Sequence, residues 1–277
     1  MFTSKINYFR FNAFILALVL FITCTPSGSF IDTEPSFTVA PHEEIDQTFT
    51  YAGKPEPVYY PNPLRVLYNI GYISAYDEVR GNPAWVAYRV FAIDEYIIFD
   101  RPSRFLIDDR TENRISHDVY TNSGYDRGHL APNFAIVTRF GQQAQRESFL
   151  MTNIIPQRPS LNRHWWAQLE KLIARNYSET YDQVWVLLGP VYKETGNWIN
   201  ERVKIPTHNF MIVKVEKDDR LKMIAFLAHQ DMQSSEPLEP YLTSVRYIEE
   251  KTGLNFNPLF EEDFADSIES LIPESLW

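Results

Sequence analysis

From Leu64 onward, large apolar or aromatic residues alternate with small or polar ones at a period of two, as in RVLYNIGYISAYD and AWVAYRVFA. Successive side chains of a strand point to opposite faces, so this period predicts half-buried strands. VWVLLGPVY, NFMIVKVE and LKMIAFLAH are richer in β-branched and aromatic residues and predict further strands. The period lengthens in LNRHWWAQLEKLIARNY, where Leu161, Trp165, Leu169, Leu172 and Ile173 recur at helical spacing, with Asn162 near the N-cap. EPYLTSVRYIEEKTG predicts a helix closed by Gly253, and FGQQAQRESFLMTNIIPQ a short helix followed by an extended segment closed by Pro156. The tail FEEDFADSIESLI puts Phe260, Phe264, Ile268 and Leu271 on one stripe, predicting an acidic helix packed on the body, residues 259–277. Arg101 to Tyr125 has many charges and few apolar anchors, which marks a long loop of the kind that carries function. Strands and helices in mixed order, without an internal repeat, predict a single α+β domain over residues 63–258.

The first sixty residues follow other rules. Lys5 and Arg10 precede the apolar run from Ala13 to Ile22, and CTPSGS follows it. A basic start, an apolar block too short to span a bilayer and a small-residue end predict a signal peptide, residues 1–29. Cys24 is the only cysteine, and two fates are open to it: removal with the leader, or lipidation as the first residue of an envelope lipoprotein. Either way no internal disulfide forms, and stability rests on the core. Residues 30–62, rich in Pro, Thr, Ser and Glu, predict a flexible tether.

With 277 residues and 44% hydrophobic positions, the chain can bury a sizeable core. Its net charge of -10 excludes a surface that is basic throughout. Loss of residues 1–29 would remove two cations and no acid, leaving 24 Lys and Arg against 36 Asp and Glu, a charge of -12. A local group of arginines can still serve a cleft in such a protein.

Candidate chemistry begins at YDRGHLAPN, which sets Asp126, Arg127, Gly128 and His129 side by side. Alone it also reads as a turn, with Gly128 at positive φ beside a surface ion pair. TNIIPQ then supplies Asn153, and LNRHWWAQLE supplies Asn162 and Glu170, eight residues apart on one side of a helix. An amide oxygen, a carboxylate and a nearby histidine suit Mg²⁺ that retains several waters. Zinc is disfavoured, since the chain has no cysteine cluster and no HExxH.

YDRGHLAP, TNIIPQ and LNRHWWAQLE, supported by NPAWVAYRV, VWVLLGPVY and IPTHNFMIVKVE, resemble the DNA/RNA non-specific endonucleases, the ββα-metal nucleases that include secreted bacterial nucleases and endonuclease G. The resemblance runs from Leu64 to Phe256, about seventy per cent of the chain. It implies a central, mainly antiparallel sheet flanked by helices, and an Mg²⁺-dependent enzyme, with Mn²⁺ as a substitute. DNA and RNA would be cut with little sequence preference, leaving 5′-phosphate ends. By resemblance, His129 is the general base, Asn162 the direct metal ligand, and Glu170 the carboxylate that holds a metal-bound water. Asn153 supports this shell, and Arg127 contacts phosphate. A second phosphate-contacting arginine lies in the loop, with Arg104 favoured and Arg101 and Arg110 as alternatives.

These readings predict an exported nuclease, periplasmic, extracellular or lipid-anchored, that uses no nucleotide cofactor; the resemblance allows a homodimer. Two rivals stand beside it: a narrower phosphodiesterase acting on nucleotides or other phosphodiesters, and a non-catalytic binding lipoprotein of the same fold. The acidic charge favours the first of these, and the intact set of His129, Asn162 and Glu170 opposes the second.

Overall fold

The structure, a computed structural model, describes residues 42–218 and 220–277. The predicted signal peptide, Cys24 and the start of the tether lie outside these residues. Helix α1 (His42–Phe49) and strand β1 (Glu56–Pro57) come first, followed by β2 (Arg65–Tyr68), β3 (Tyr72–Asp77) and β4 (Asn82–Val90). After the long loop come β5 (Asp126–His129), α2 (Asn133–Ser148) and β6 (Ile154–Gln157). A helical run over 161–180 leads to β7 (Gln183–Val191), then to the short pair β8 (Trp198–Ile199) and β9 (Val203–Lys204). Strands β10 (His208–Lys217), β11 (Arg220–His229), β12 (Leu242–Thr243) and β13 (Leu254–Asn255) complete the set.

Seven strands form one sheet in the order β12-β11-β10-β7-β4-β3-β2, and every pairing in it is antiparallel. Helices cover both faces. On one, Tyr88, Val186 and Val213 meet Trp165, Leu169 and Ile173 of the 161–180 run. On the other, Trp85, Leu187 and Ile212 meet Phe49 of α1, Ile248 of the helix Val245–Thr252 and Phe256. The inner strands β3, β4, β7 and β10 are therefore buried on both faces over most of their length, not half-buried, whereas the edge strand β2 keeps partly exposed positions. Each large side chain so buried contributes about 1.5–3 kcal/mol.

Residues 42–62 depart from the tether expectation. Phe49 is 4% exposed in the second core, β1 pairs with β13, and Tyr60 Oη donates to Asp77 Oδ2 at 2.8 Å. Lys214, 3% exposed on β10, donates to Tyr51 O at 2.9 Å, to Phe256 O at 3.4 Å and to Asn257 Oδ1. The prolines and acids of this segment preclude long regular elements but not packing. At the other end, the helix Glu262–Glu269 turns Ala265 and Glu269 inward, and Phe260 and Ile268 pack on the core. Phe264 and Leu271 are 46% and 63% exposed, so the expected four-residue stripe is only half used. The reason is polar: Glu269 accepts from Asn257 Nδ2 at 2.6 Å and pairs with Arg246 at 3.1 Å.

Candidate active site

β5 and β6 form a separate antiparallel pair that sets Asp126 opposite Gln157 and His129 opposite Ile154; the 161–180 helical run follows it. Two strands and a helix thus frame the site. Gly128 is extended and not at positive φ. A Cβ on it would stand 2.1 Å from Oε1 of the buried Gln157, so close approach, not backbone freedom, requires glycine.

The half-buried imidazole of His129 lies between Phe105, at 5.1 Å, and the edge-on ring of Phe149, at 4.9 Å. Its Nε2 is shielded and has no hydrogen-bond partner, which leaves Nδ1 as the nitrogen open to the site. Burial, aided by the Arg101 cation, pushes its pKa down to about 3. The ring is therefore neutral at physiological pH, the form a base requires.

Asp126 joins strand to helix. Its Oδ2 accepts from Asn162 Nδ2 at 3.0 Å and from Arg163 Nε at 2.8 Å, while Oδ1 accepts from the Arg163 guanidinium at 2.7 Å. The Arg163 hydrogen bonds hold the Asp126 carboxyl below its ordinary pKa. With Nδ2 committed, Asn162 Oδ1 faces away from Asp126 and has no donor among the described residues. Asn162 is not an N-cap: the helix begins before it, and its own N–H bonds Arg158 O at 2.9 Å. The run contains two π-helical stretches, Leu161–Trp166 and Leu172–Tyr177, a widening found often at functional sites.

Glu170 lies on the same run. Burial raises its pKa to about 8 against the opposing pull of Arg101 and of the Trp166 indole, whose N–H completes no hydrogen bond. Even with the Arg101 charge acting on it the carboxyl favours its protonated form at neutral pH, and a metal cation beside it would restore its charge.

Three expectations change at this level. Of the loop arginines, Arg101 faces the site: its guanidinium lies 5.1 Å from the Phe149 ring, and its charge acts on both His129 and Glu170. Arg104 is exposed and lines a separate depression, and Arg110 is bound to Asp108, Tyr68 O and Asn69. Arg127 donates from Nε to His117 O at 3.0 Å and reaches Thr121, so it braces the loop. Asn153, fully buried, donates to Ala131 O at 2.9 Å and Ser148 O at 2.8 Å and accepts from Ala131 N–H at 2.8 Å. It positions the segment following His129 and has no group left for substrate. The sequence reading passed over Phe105 and Phe149, since nothing local marks an aromatic as the wall of a histidine.

The donor set fits a hard cation: an oriented amide oxygen and a half-buried carboxyl, with no group of three or more His, Cys, Asp or Glu ligands among the described residues.

The family model for DNA/RNA non-specific endonucleases matches residues 57–263. Nuclease 1, mitochondrial, of Schizosaccharomyces pombe is 29% identical over 208 residues, 67% of this chain and 64% of its own. Endonuclease G, mitochondrial, of Homo sapiens is 30% identical over 159 residues, 53% of this chain and 52% of its own. The chain thus spans about half to two thirds of the length of these relatives. A solved EndoG/EndoGI complex, which concerns the mechanism of EndoG inhibition, superposes with a TM-score of 0.66 at 25% identity, covering 81% of this chain and 95% of that one. The chain belongs to the DNA/RNA non-specific endonuclease family and has its ββα-metal nuclease fold.

Proposed function

We propose that the protein is an Mg²⁺-dependent endonuclease that hydrolyses DNA and RNA with little sequence preference and leaves 5′-phosphate ends. One observation carries this reading: a neutral His129 with Nδ1 open on β5, and on the helix that follows an Asn162 whose amide oxygen is turned away from Asp126. Asn162 and Glu170 would hold the cation, Glu170 through a water. The cation, Mg²⁺ or Mn²⁺, supplies Lewis-acid neutralisation of phosphate charge and acidifies water for the leaving group.

His129 Nδ1 takes a proton from the water that attacks phosphorus. The bond from phosphorus to the 3′ oxygen breaks, so phosphate stays on the 5′ end. Arg101 faces the oxygens on which charge develops and stabilises it. Phe105 and Phe149 keep the imidazole unprotonated and fix its plane. No residue of this set reads a base edge, which supports weak sequence preference.

Purified full chain is incubated with plasmid DNA, RNA and a small chromogenic phosphodiester, with Mg²⁺ and with EDTA, beside His129→Ala. The expected result is metal-dependent degradation of both polymers that falls roughly 10²- to 10⁴-fold in the variant. Absence of polymer cleavage at every salt concentration overturns the reading. Hydrolysis of the small ester alone favours the narrower phosphodiesterase, to which the net charge of -10 lends weight. Export is part of the proposal and is supported by Lys5, Arg10 and the apolar run after them, with Cys24 as the residue able to carry a lipid.

A further inference from the structure

Next to the catalytic residues, the Arg101 loop and α2 enclose two adjoining depressions of about 430 and 370 Å³, which share Leu106, Gln142 and Arg146. Their wall is also a wall of the active site. The Phe105 ring lies tilted against His129 at 5.1 Å, while its chain neighbours Arg104 and Leu106 line the depressions. The backbone fixes this arrangement, since Leu106 N–H donates to Phe149 O at 2.9 Å and Leu106 O accepts from Met151 N–H at 2.8 Å.

Arg104 and Arg146 are exposed, and among the described residues neither guanidinium has a hydrogen bond, ion pair or ring partner. Elsewhere Arg65, Arg110, Arg114, Arg158, Arg163 and Arg246 each hold a carboxylate. In a chain with ten more acids than bases, two unpaired arginines in one groove stand out. Two acids also line the groove, Asp100 and Glu147, the latter half-buried with one oxygen accepting from Ile70 N–H at 2.7 Å.

We propose that this groove is a second phosphate subsite, in which Arg104 and Arg146 hold backbone phosphates a few nucleotides from the scissile bond. The inference rests on the nuclease reading for its ligand and gives that reading a preference for long substrates. Two guanidinium groups set along one groove, separated from His129 by the Phe105 segment, match a repeating polyanion better than a lone phosphate.

The test is binding of a fluorescent duplex of about 20 base pairs to the full chain in EDTA, across a salt series, so that cleavage is not needed. Arg104→Ala and Arg146→Ala should each reduce the slope of log K against log salt by about 0.9, and the double variant by about 1.8. Arg146→Lys should keep the slope, and so should Arg220→Ala, which removes an equally unpartnered arginine on the β10–β11 hairpin. Hydrolysis of the small phosphodiester with Mg²⁺ should stay within about twofold in all these variants, because it has no flanking phosphate. An unchanged slope and affinity in the double variant overturns the subsite, as does loss of small-ester hydrolysis, which would place the arginines at the reacting centre. If the unsubstituted chain cuts no polymer yet the slope falls as expected, the subsite stands and the nuclease reading falls.

Discussion

Asp126 decides which end of the Asn162 amide is offered to a cation. An asparagine can rotate its amide by half a turn at little cost, and only its partners choose between the two orientations. Here the acceptor is Asp126, 3.0 Å from Nδ2, so the oxygen is turned outward before any cation arrives. Loss of a group that orients a ligand commonly costs 10- to 100-fold in metal affinity or activity. Asp126→Ala should therefore raise the half-saturating Mg²⁺ concentration by roughly 10- to 100-fold and recover most of its rate at saturating Mg²⁺. Arg163→Ala, which removes only an exposed partner of Asp126, should shift it far less. Rates measured against Mg²⁺ concentration for both variants check this; equal shifts would mean that the ion pair, not the amide, is what matters. At this scale His129, Asn162 and Glu170 were legible as candidates from residue type, order and resemblance. The loop arginine was not, because Arg101 is placed by the ring of Phe149, distant in sequence, while Arg127 and Asn153 are spent on backbone carbonyls that no sequence pattern reveals.

Strands and the Asn162 helix follow directly from their periods, but the elements at the two ends of the described chain are held by a polar contact. Lys214 sits inside β10 and binds the carbonyls of Tyr51 and Phe256 and the side chain of Asn257, which in turn binds Glu269 of the C-terminal helix. One lysine thus ties the arm of residues 42–62 and the chain's end to the sheet, which is why a segment composed like a tether packs as part of the body. Burial pushes the Lys214 pKa down from 10.5 to about 7, against the pull of Glu269 and Glu249. Between these values the unfolded chain binds the proton and the folded chain does not, the neutral amine keeping two N–H donors for its three acceptors, so stability rises with pH through this window and falls as pH drops back toward 7. Denaturant unfolding from pH 7 to 9 should show a gain of up to about 1.4 kcal/mol per unit, and Lys214→Met should remove this pH dependence. A slope that survives in the variant would assign it to other groups.

Taken whole, the molecule repels the substrate that its cleft is proposed to hold. A net charge of -10 acts on a polyanion at long range, whereas Arg101, Arg104 and Arg146 act only at contact. The two effects respond differently to salt. At about 0.01 M the screening length is roughly 30 Å, long enough for the body's charge to oppose approach, and at 0.1 M it shrinks to about 10 Å. Contact with phosphates weakens steadily as salt rises, because counterion release loses its advantage. The rate constant kcat/KM for duplex DNA should therefore rise as salt is raised from about 0.01 to 0.1 M, pass through a maximum, and fall beyond it. The acidic helix Glu262–Glu269 supplies part of the repulsion, so replacing Glu262 and Asp263 with Gln and Asn should move the maximum to lower salt. The small phosphodiester, carrying one charge and no flanking phosphates, should show a nearly flat profile over the same range. A rate on duplex DNA that falls monotonically from the lowest salt would show that the cleft cations outweigh the body even at long range, and would remove charge as the reason for favouring a narrower substrate.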